Sequence, residues 1–190
     1  MSKKIGAIIL AAGFSNRFGG RKLLSTLNNG NKVFQQTLDR VAEAASSVLV
    51  VTRPELAAAL AINPTQARTV IFEQAEQGMG ASLAFASRHI EGWDGCLVCL
   101  ADMPFITTDT YRMLSEQLSN NSIVIPRYNS KPGNPVAFGS NYFPELASLD
   151  GDSGGKSIIK SHPDSATVLD VNDPGILQDI DNNEDLIRYQ

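Results

Sequence analysis

A turn of small residues followed by cations is the first feature of the chain that could do chemistry. In Leu10-Ala11-Ala12-Gly13-Phe14-Ser15-Asn16-Arg17-Phe18-Gly19-Gly20-Arg21-Lys22, positions 11 to 13 let a ligand approach the backbone closely. Backbone N–H groups there, with Arg17 and Lys22, would make a pocket for a polyanion: Arg offers a planar fork for phosphate oxygens and Lys a compact point charge. A solvated basic loop with glycine turns fits the same residues. Farther on, Leu100-Ala101-Asp102-Met103-Pro104 ends an apolar run with a carboxylate. A hard oxygen ligand at the end of a strand suits Mg²⁺ on a nucleotide phosphate, and Pro104 forces the chain to turn. The plain alternative is an aspartate in a strand-to-helix turn, where Asp is common. Near the end comes Gln178-Asp179-Ile180-Asp181-Asn182. If extended, it puts Asp179 and Asp181 on one face while Ile180 packs inward. Adjacent carboxylates repel unless a cation lies between them, so the pair reads as a metal site or as an exposed acidic tail.

Other familiar patterns fail. Gly13 and Gly19 do not make the G-x-G-x-x-G of a dinucleotide site, since Ser15 stands where a glycine is required. Ser153-Gly154-Gly155-Lys156-Ser157 imitates the end of a P-loop, but Asp150 occupies the position of its first glycine. His89 and His162 have no Ser–His–Asp or metal-ligand spacing around them, which leaves hydrolase chemistry unsupported. Cys96 and Cys99 form C-x-x-C inside an apolar strand-like run, so they point to opposite faces and read as buried core thiols.

The elements that must position these residues alternate between short apolar runs and helical patterns. Strands are expected at Ile5 to Ala11, Val48 to Val51 (stopped by Pro54), Thr69 to Phe72, Cys96 to Ala101 and Ser122 to Ile125. Phe34, Leu38, Val41 and Ala45 fall on one helical face, and Ala81 to Ile90 reads as a second helix containing His89. Thr107 or Thr108 can cap a third, which carries Tyr111, Leu114 and Leu118 on one side. The early strands are continuous apolar runs, as expected of a parallel sheet covered by helices on both faces. Ligands of such sheets bind at the carboxyl ends of the strands, which puts the loops after Leu10 and Leu100 at the ligand end. After Pro126, short segments such as Val136-Ala137-Phe138 and Thr167-Val168-Leu169 read as an elaboration over the sheet edge, and residues 1–190 as a single domain.

With 190 residues, 43% hydrophobic and 19% charged, the chain reads as an ordinary globular domain that needs no disulfide or metal staple. Sixteen basic against twenty acidic residues give a net charge of −4, which argues against broad nucleic-acid binding but permits a local anion pocket. No apolar stretch approaches the ~18 residues of a membrane span. A cytoplasmic protein without membrane or nucleic-acid partners is expected.

Taken in order, Leu10-Ala11-Ala12-Gly13-x-Ser15-x-Arg17-Phe18-Gly19 with Lys22, Gly78-Met79-Gly80-Ala81-Ser82-Leu83, Leu100-Ala101-Asp102-Met103-Pro104, Gly133-Asn134-Pro135-Val136, Gly151-Asp152-Ser153-Gly154-Gly155-Lys156 and Asp179-Ile180-Asp181 resemble the MobA-like nucleotidyltransferase family. The motifs span nearly the whole chain, and the branch they look most like is the molybdenum cofactor cytidylyltransferases. The resemblance implies an α/β, three-layer Rossmann-like nucleotidyltransferase fold with a mostly parallel central sheet.

It also implies roles. Leu10, Ala11, Ala12 and Gly13 would wrap the nucleotide, Arg17 and Lys22 would sit on its phosphates, and Gly78 and Ser82 would lie near base and ribose. Asp102 would hold Mg²⁺, completed by Asp181 and Asp179. Gly133, Asn134, Pro135, Asp152, Gly155 and Lys156 would face a pterin substrate. Glu73, Asn134 and the Asn182-Asn183 pair depart from the family pattern. The implied reaction is CTP plus molybdopterin giving the cytosine dinucleotide and pyrophosphate, with a molybdoenzyme or its chaperone as a further partner. GTP or a sugar phosphate as substrate, or a non-catalytic carrier of the cofactor, are the alternatives.

Overall fold

The apolar run at the start of the chain is buried on both faces, as continuous hydrophobicity requires of a central parallel strand. In the computed structural model, which describes residues 3–14 and 22–189, this run is β1 (Ile5–Ala11). There follow α1 (Val33–Ala44), β2 (Val48–Thr52), α2 (Pro54–Leu60), β3 (Arg68–Ile71), α3 (Met79–Ser87), β4 (Gly95–Leu100) and α4 (Thr108–Gln117). The second half adds β5 (Ile123–Tyr128), β6 (Lys131–Pro132), β7 (Val136–Gly139), α5 (Phe143–Leu146), α6 (Lys156–Ser161), β8 (Ala166–Asp170) and α7 (Asn183–Arg188).

The strands form one sheet in the order β3-β2-β1-β4-β7-β5-β6, with β8 also paired to β5. β1 pairs in parallel with β2 and with β4, β2 with β3, and β5 with β8. Helices cover both faces. Phe34, Leu38 and Val41 of α1 and Tyr111 and Leu114 of α4 pack with Ile5, Ala7 and Ile9 of β1 in one core. Leu83 and Ala86 of α3, Leu146 of α5 and Ile158 of α6 pack with Ile8 and Val51 in the other. The fold is therefore the three-layer α/β architecture that the motifs imply. Cys96 and Cys99 lie in opposite cores, fully buried, and burial pushes both thiols far above their usual pKa, so they are packing groups.

The register places the ligand-facing turns side by side. Leu10 pairs with Val51 and with Leu100, so the loops after β1, β2 and β4 emerge together at one end of the sheet. Thr107 caps α4 by accepting from the Thr110 N–H, which resolves the two candidate caps.

β2 ends before Pro54, as expected, and Pro54 is the first residue of α2, where its missing N–H costs nothing. Two expectations need correction. Val136-Ala137-Phe138 is not an elaboration over the edge. As β7 it lies inside the sheet, antiparallel between β4 and β5, with Ala137 and Phe138 buried. A short buried run gives no direction of travel in its sequence, so its place had to come from pairing. His89 lies just beyond α3, with Nδ1 2.9 Å from the Phe85 carbonyl.

Candidate active site

A cleft of about 710 Å³ opens at the carboxyl end of β1 and β4. Leu10, Ala11, Ala12, Gly13, Lys22, Gly78, Ser82, Asp102, Asp152, Lys156, Asp179 and Asp181 all line it. Residues from both ends and the middle of the chain thus meet in one place. Arg17 lies outside the described residues.

The turn after β1 is held from β2. The Arg53 guanidinium donates to the Gly13 carbonyl at 2.6 Å and more weakly to that of Ala12 at 3.4 Å, and the buried Thr52 hydroxyl donates to the Ala11 carbonyl at 3.3 Å. A Cβ built on Gly13 would touch nothing, so the missing side chain leaves backbone open to the cleft.

Asp102 sits in a buried turn whose carbonyls are satisfied by polar side chains of α1. Thr37 donates to the Ala101 carbonyl at 3.2 Å, and Gln36 and Arg40 donate to that of Pro104 at 2.9 and 2.7 Å. Gln36 and Thr37 are buried polar residues on an otherwise apolar helix face, which is the signal in the sequence that could have revealed their role. The terminal acidic segment is clipped to the same turn: the Ile180 N–H donates to the Asp102 carbonyl at 3.0 Å. Ile180 is fully buried, so Asp179 and Asp181 on either side of it face outward. Asn182 caps α7 in a reciprocal capping box with Asp185, which gives this departure from the family pattern a structural reason.

At the centre lies Lys22. Its Nζ is 2.5 Å from Asp102 Oδ2 and 3.1 Å from Asp181 Oδ1, and its side chain is 12% exposed. Burial alone would lower its pKa, but the two carboxylates outweigh that and raise it above the usual value. Asp179 titrates high: partial desolvation, joined by repulsion from Asp181 and Asp102, raises its carboxyl, against the lowering by a backbone hydrogen bond and Lys22. Among the described residues no group of three or more His, Cys, Asp or Glu side chains forms a ready metal cage. The ammonium between Asp102 and Asp181 is a stand-in cation, which shows that one cation can meet both carboxylates, so the pair would suit a hard divalent ion.

The opposite wall is the N-terminus of α3, which the 150–156 loop covers. The Gly151 carbonyl accepts from the Gly80 and Ala81 N–H groups at 2.6 and 3.3 Å, and Asp152 Oδ1 accepts from the Met79 N–H at 3.3 Å. Gly78, at φ 105°, and Gly80 permit this approach: a Cβ on either would come within 2.3 Å of Asp152 Oδ1 or the Asp150 carbonyl. The Ser82 hydroxyl donates to the Gly78 carbonyl at 3.0 Å.

Gly133, Asn134, Pro135 and Gly155, expected to face a substrate, do not line the cleft. Gly133 is packed against Ile176, whose carbonyl accepts from the Asn134 N–H at 3.0 Å; Pro135 is buried; and Gly155 fits under the Phe138 ring. Glu73 lines a separate cavity of about 450 Å³, while Glu76, which the sequence reading passed over, lines the main cleft. Asp173 was also missed: it is a buried carboxylate with four short donors.

Comparison with known proteins matches residues 7–166 to the MobA-like NTP transferase domain. The purine catabolism protein PucB of Bacillus subtilis (strain 168) is 32% identical over 194 residues, covering 95% of this chain and 94% of that protein. The structure of Rv0371c from Mycobacterium tuberculosis H37Rv is similar at a TM-score of 0.84 and 28% identity, over 99% of this chain and 97% of that one. Its complex with manganese is similar at a TM-score of 0.80 and 25% identity, over 98% and 97%.

Proposed function

This chain belongs to the MobA-like NTP transferase family, and we propose that it transfers CMP from CTP to the phosphate of molybdopterin, giving molybdopterin cytosine dinucleotide and pyrophosphate. The reading rests chiefly on one observation: Lys22, Asp102 and Asp181 converge in a cleft walled by the small-residue turn after β1. Residues 1–190 are taken as a single nucleotidyltransferase domain.

A phosphate oxygen of the acceptor forms the new bond to the α-phosphorus of CTP as the α–β bond breaks and pyrophosphate leaves. The acceptor is already anionic at neutral pH and needs no general base, in keeping with a cleft that no histidine lines. Repulsion between the two anions is the obstacle, so positioning and electrostatics carry the catalysis. Lys22 and Arg17 are assigned to charge growing on the leaving pyrophosphate. Asp102 and Asp181, with Asp179 beside them, would hold Mg²⁺, which when bound neutralises phosphate charge and polarises the α-phosphorus. The manganese complex of the mycobacterial relative supports a divalent ion. Lys156 and Asp152 remain the candidates for the acceptor side, since both line the cleft. The resemblance to the cytidylyltransferase branch, whose small-residue turn Leu10-Ala11-Ala12-Gly13 lines the cleft here, supports CTP.

The test is pyrophosphate release from each of the four common NTPs, with and without molybdopterin and with Mg²⁺. Release that requires CTP and molybdopterin together is expected. Release with GTP or with a sugar phosphate would move the substrate within the same chemistry. Magnesium-independent binding of finished cofactor with no release under any condition would make the protein a carrier and overturn the proposal.

A further inference from the structure

The Lys22–Asp102–Asp181 cluster lies on one side of β1, and Phe14 lies on the other. β1 sits between β4, which leads into Asp102, and β2, which leads into Arg53. Lys22 is bound on the β4 side. Phe14 is drawn to the β2 side, where the Arg53 guanidinium carbon lies 4.4 Å from its ring centroid. Phe14 nevertheless remains 46% exposed and lines the cleft. The only other large apolar side chain so open in this cleft, among the described residues, is Met79 at the start of α3, 45% exposed.

An aromatic ring held open to water in a charged cleft has no structural use that its surroundings reveal. It is also fixed. Arg53 is tied to the Gly13 carbonyl at 2.6 Å and to Glu55 at 3.2 Å, and its side chain is only 14% exposed. The guanidinium therefore backs the ring with little freedom to move away. A rigid π-face on one side and a cation–carboxylate cluster on the other match the polarity of a nucleoside triphosphate, flat at one end and anionic at the other.

We propose that Phe14 is the stacking platform for the base of the nucleotide, and that Arg53 is the positioning residue that fixes it. The inference rests on the nucleotidyltransferase reading and deepens it. Stacking is tolerant of base identity, so the platform adds affinity for any nucleotide and leaves the choice among bases to the backbone around Ala12.

The test compares binding of CTP and of inorganic tripolyphosphate by calorimetry in Mg²⁺ buffer. Phe14→Ala is expected to weaken CTP about ten-fold, to leave tripolyphosphate unchanged, and to be rescued by Phe14→Tyr. Arg53→Met also frees the Gly13 carbonyl and so is expected to weaken both ligands, but CTP more than tripolyphosphate, and that extra loss should vanish in the Phe14→Ala background because it acts through the ring. Undiminished CTP affinity in Phe14→Ala, equal losses for both ligands, or fully additive effects would overturn the proposal. If the wild-type protein bound tripolyphosphate but gained nothing from the nucleoside of any NTP, the nucleotide reading itself would fall, a result that does not depend on the variants.

Discussion

The Lys22 ammonium lies 2.5 Å from the Asp102 carboxylate and, at 3.1 Å, also reaches Asp181, so one cation joins two acids from remote parts of the chain. The folded pKa of Lys22 is raised, so its charge contributes to stability in full below the ordinary lysine pKa and is lost only as pH climbs through the higher folded value. Lys22 is thus charged at neutral pH, and it occupies the two carboxylates that are the candidate metal ligands. A divalent ion must compete with it. Lys22→Met is expected to bind Mn²⁺ more tightly than the wild type when no nucleotide is present, read by electron paramagnetic resonance, while pyrophosphate release falls by roughly two to three orders of magnitude. Unchanged or weaker Mn²⁺ binding would show that the ammonium is not a competitor.

Asp102→Asn separates chemistry from folding. The backbone carbonyl of Asp102 holds Ile180, and the substitution keeps that bond. Only a charged oxygen is lost, next to Lys22. Turnover is expected to drop by roughly two to three orders of magnitude in a protein that remains folded, with a fall in the thermal midpoint limited to the lost share of the Lys22 pairing. Near-normal turnover in a folded Asp102→Asn protein would remove this residue from the catalytic centre.

Asp179 carries a raised pKa, so its charge opposes folding wherever it is ionised. The penalty is full above the folded pKa and vanishes below the ordinary aspartate value, where folded and unfolded chains both hold the proton. Asp179→Asn is therefore expected to raise the melting temperature at neutral pH, and the gain should shrink as the pH is lowered into the carboxylate range. Mg²⁺ bound at the site should cancel part of the same penalty in the wild type. A pH-independent difference between the two proteins would mean that the charge is not the cause.

The central strands and the outward-facing acidic pair Asp179 and Asp181 were legible because their signals are local. The continuous apolar run of β1, the alternation of Asp179, Ile180 and Asp181, and Thr107 as a cap each follow from a few neighbouring residues. What escaped was set by distant pairing. Nothing around Val136 says that it enters the sheet between β4 and β5. The family resemblance implies that Gly133 and Gly155 face a substrate, but their close approaches are to Ile176 and Phe138. Asp152 likewise meets the Met79 N–H, 73 residues away in sequence.

The contact between Gly80 and the 150–152 loop gives a test of the second wall. A methyl group on Gly80 would lie 2.3 Å from the Asp150 carbonyl, a backbone atom that cannot step aside alone. Gly80→Ala must push the loop off the N-terminus of α3, breaking the 2.6 Å bond from the Gly80 N–H to Gly151. A loss of about 1–3 kcal/mol is expected in urea unfolding, together with faster hydrogen exchange at Gly151 and Asp152. Wild-type stability would mean that the loop and helix are not in contact in solution.

Asp173 offers the most direct route from a buried structural group to the cleft. Its Oδ2 accepts from the Thr107 N–H at 2.8 Å, the Thr107 hydroxyl at 2.9 Å and the Thr110 hydroxyl at 2.6 Å, and Oδ1 accepts from the Gly175 N–H at 2.9 Å. These bonds fasten the 3-10 turn Pro174–Leu177 to the start of α4, and Asp179 and Asp181 follow directly on that turn. Asp173→Ala strands several buried donors, so a loss of about 3 kcal/mol is expected. The consequence should reach the site as well. With the turn released, the bond from the Ile180 N–H to the Asp102 carbonyl should open more often, and Ile180 exchange should quicken more than that of amides in β2. Uniform acceleration across both segments would mean that Asp173 supports global stability alone and does not position the acidic pair.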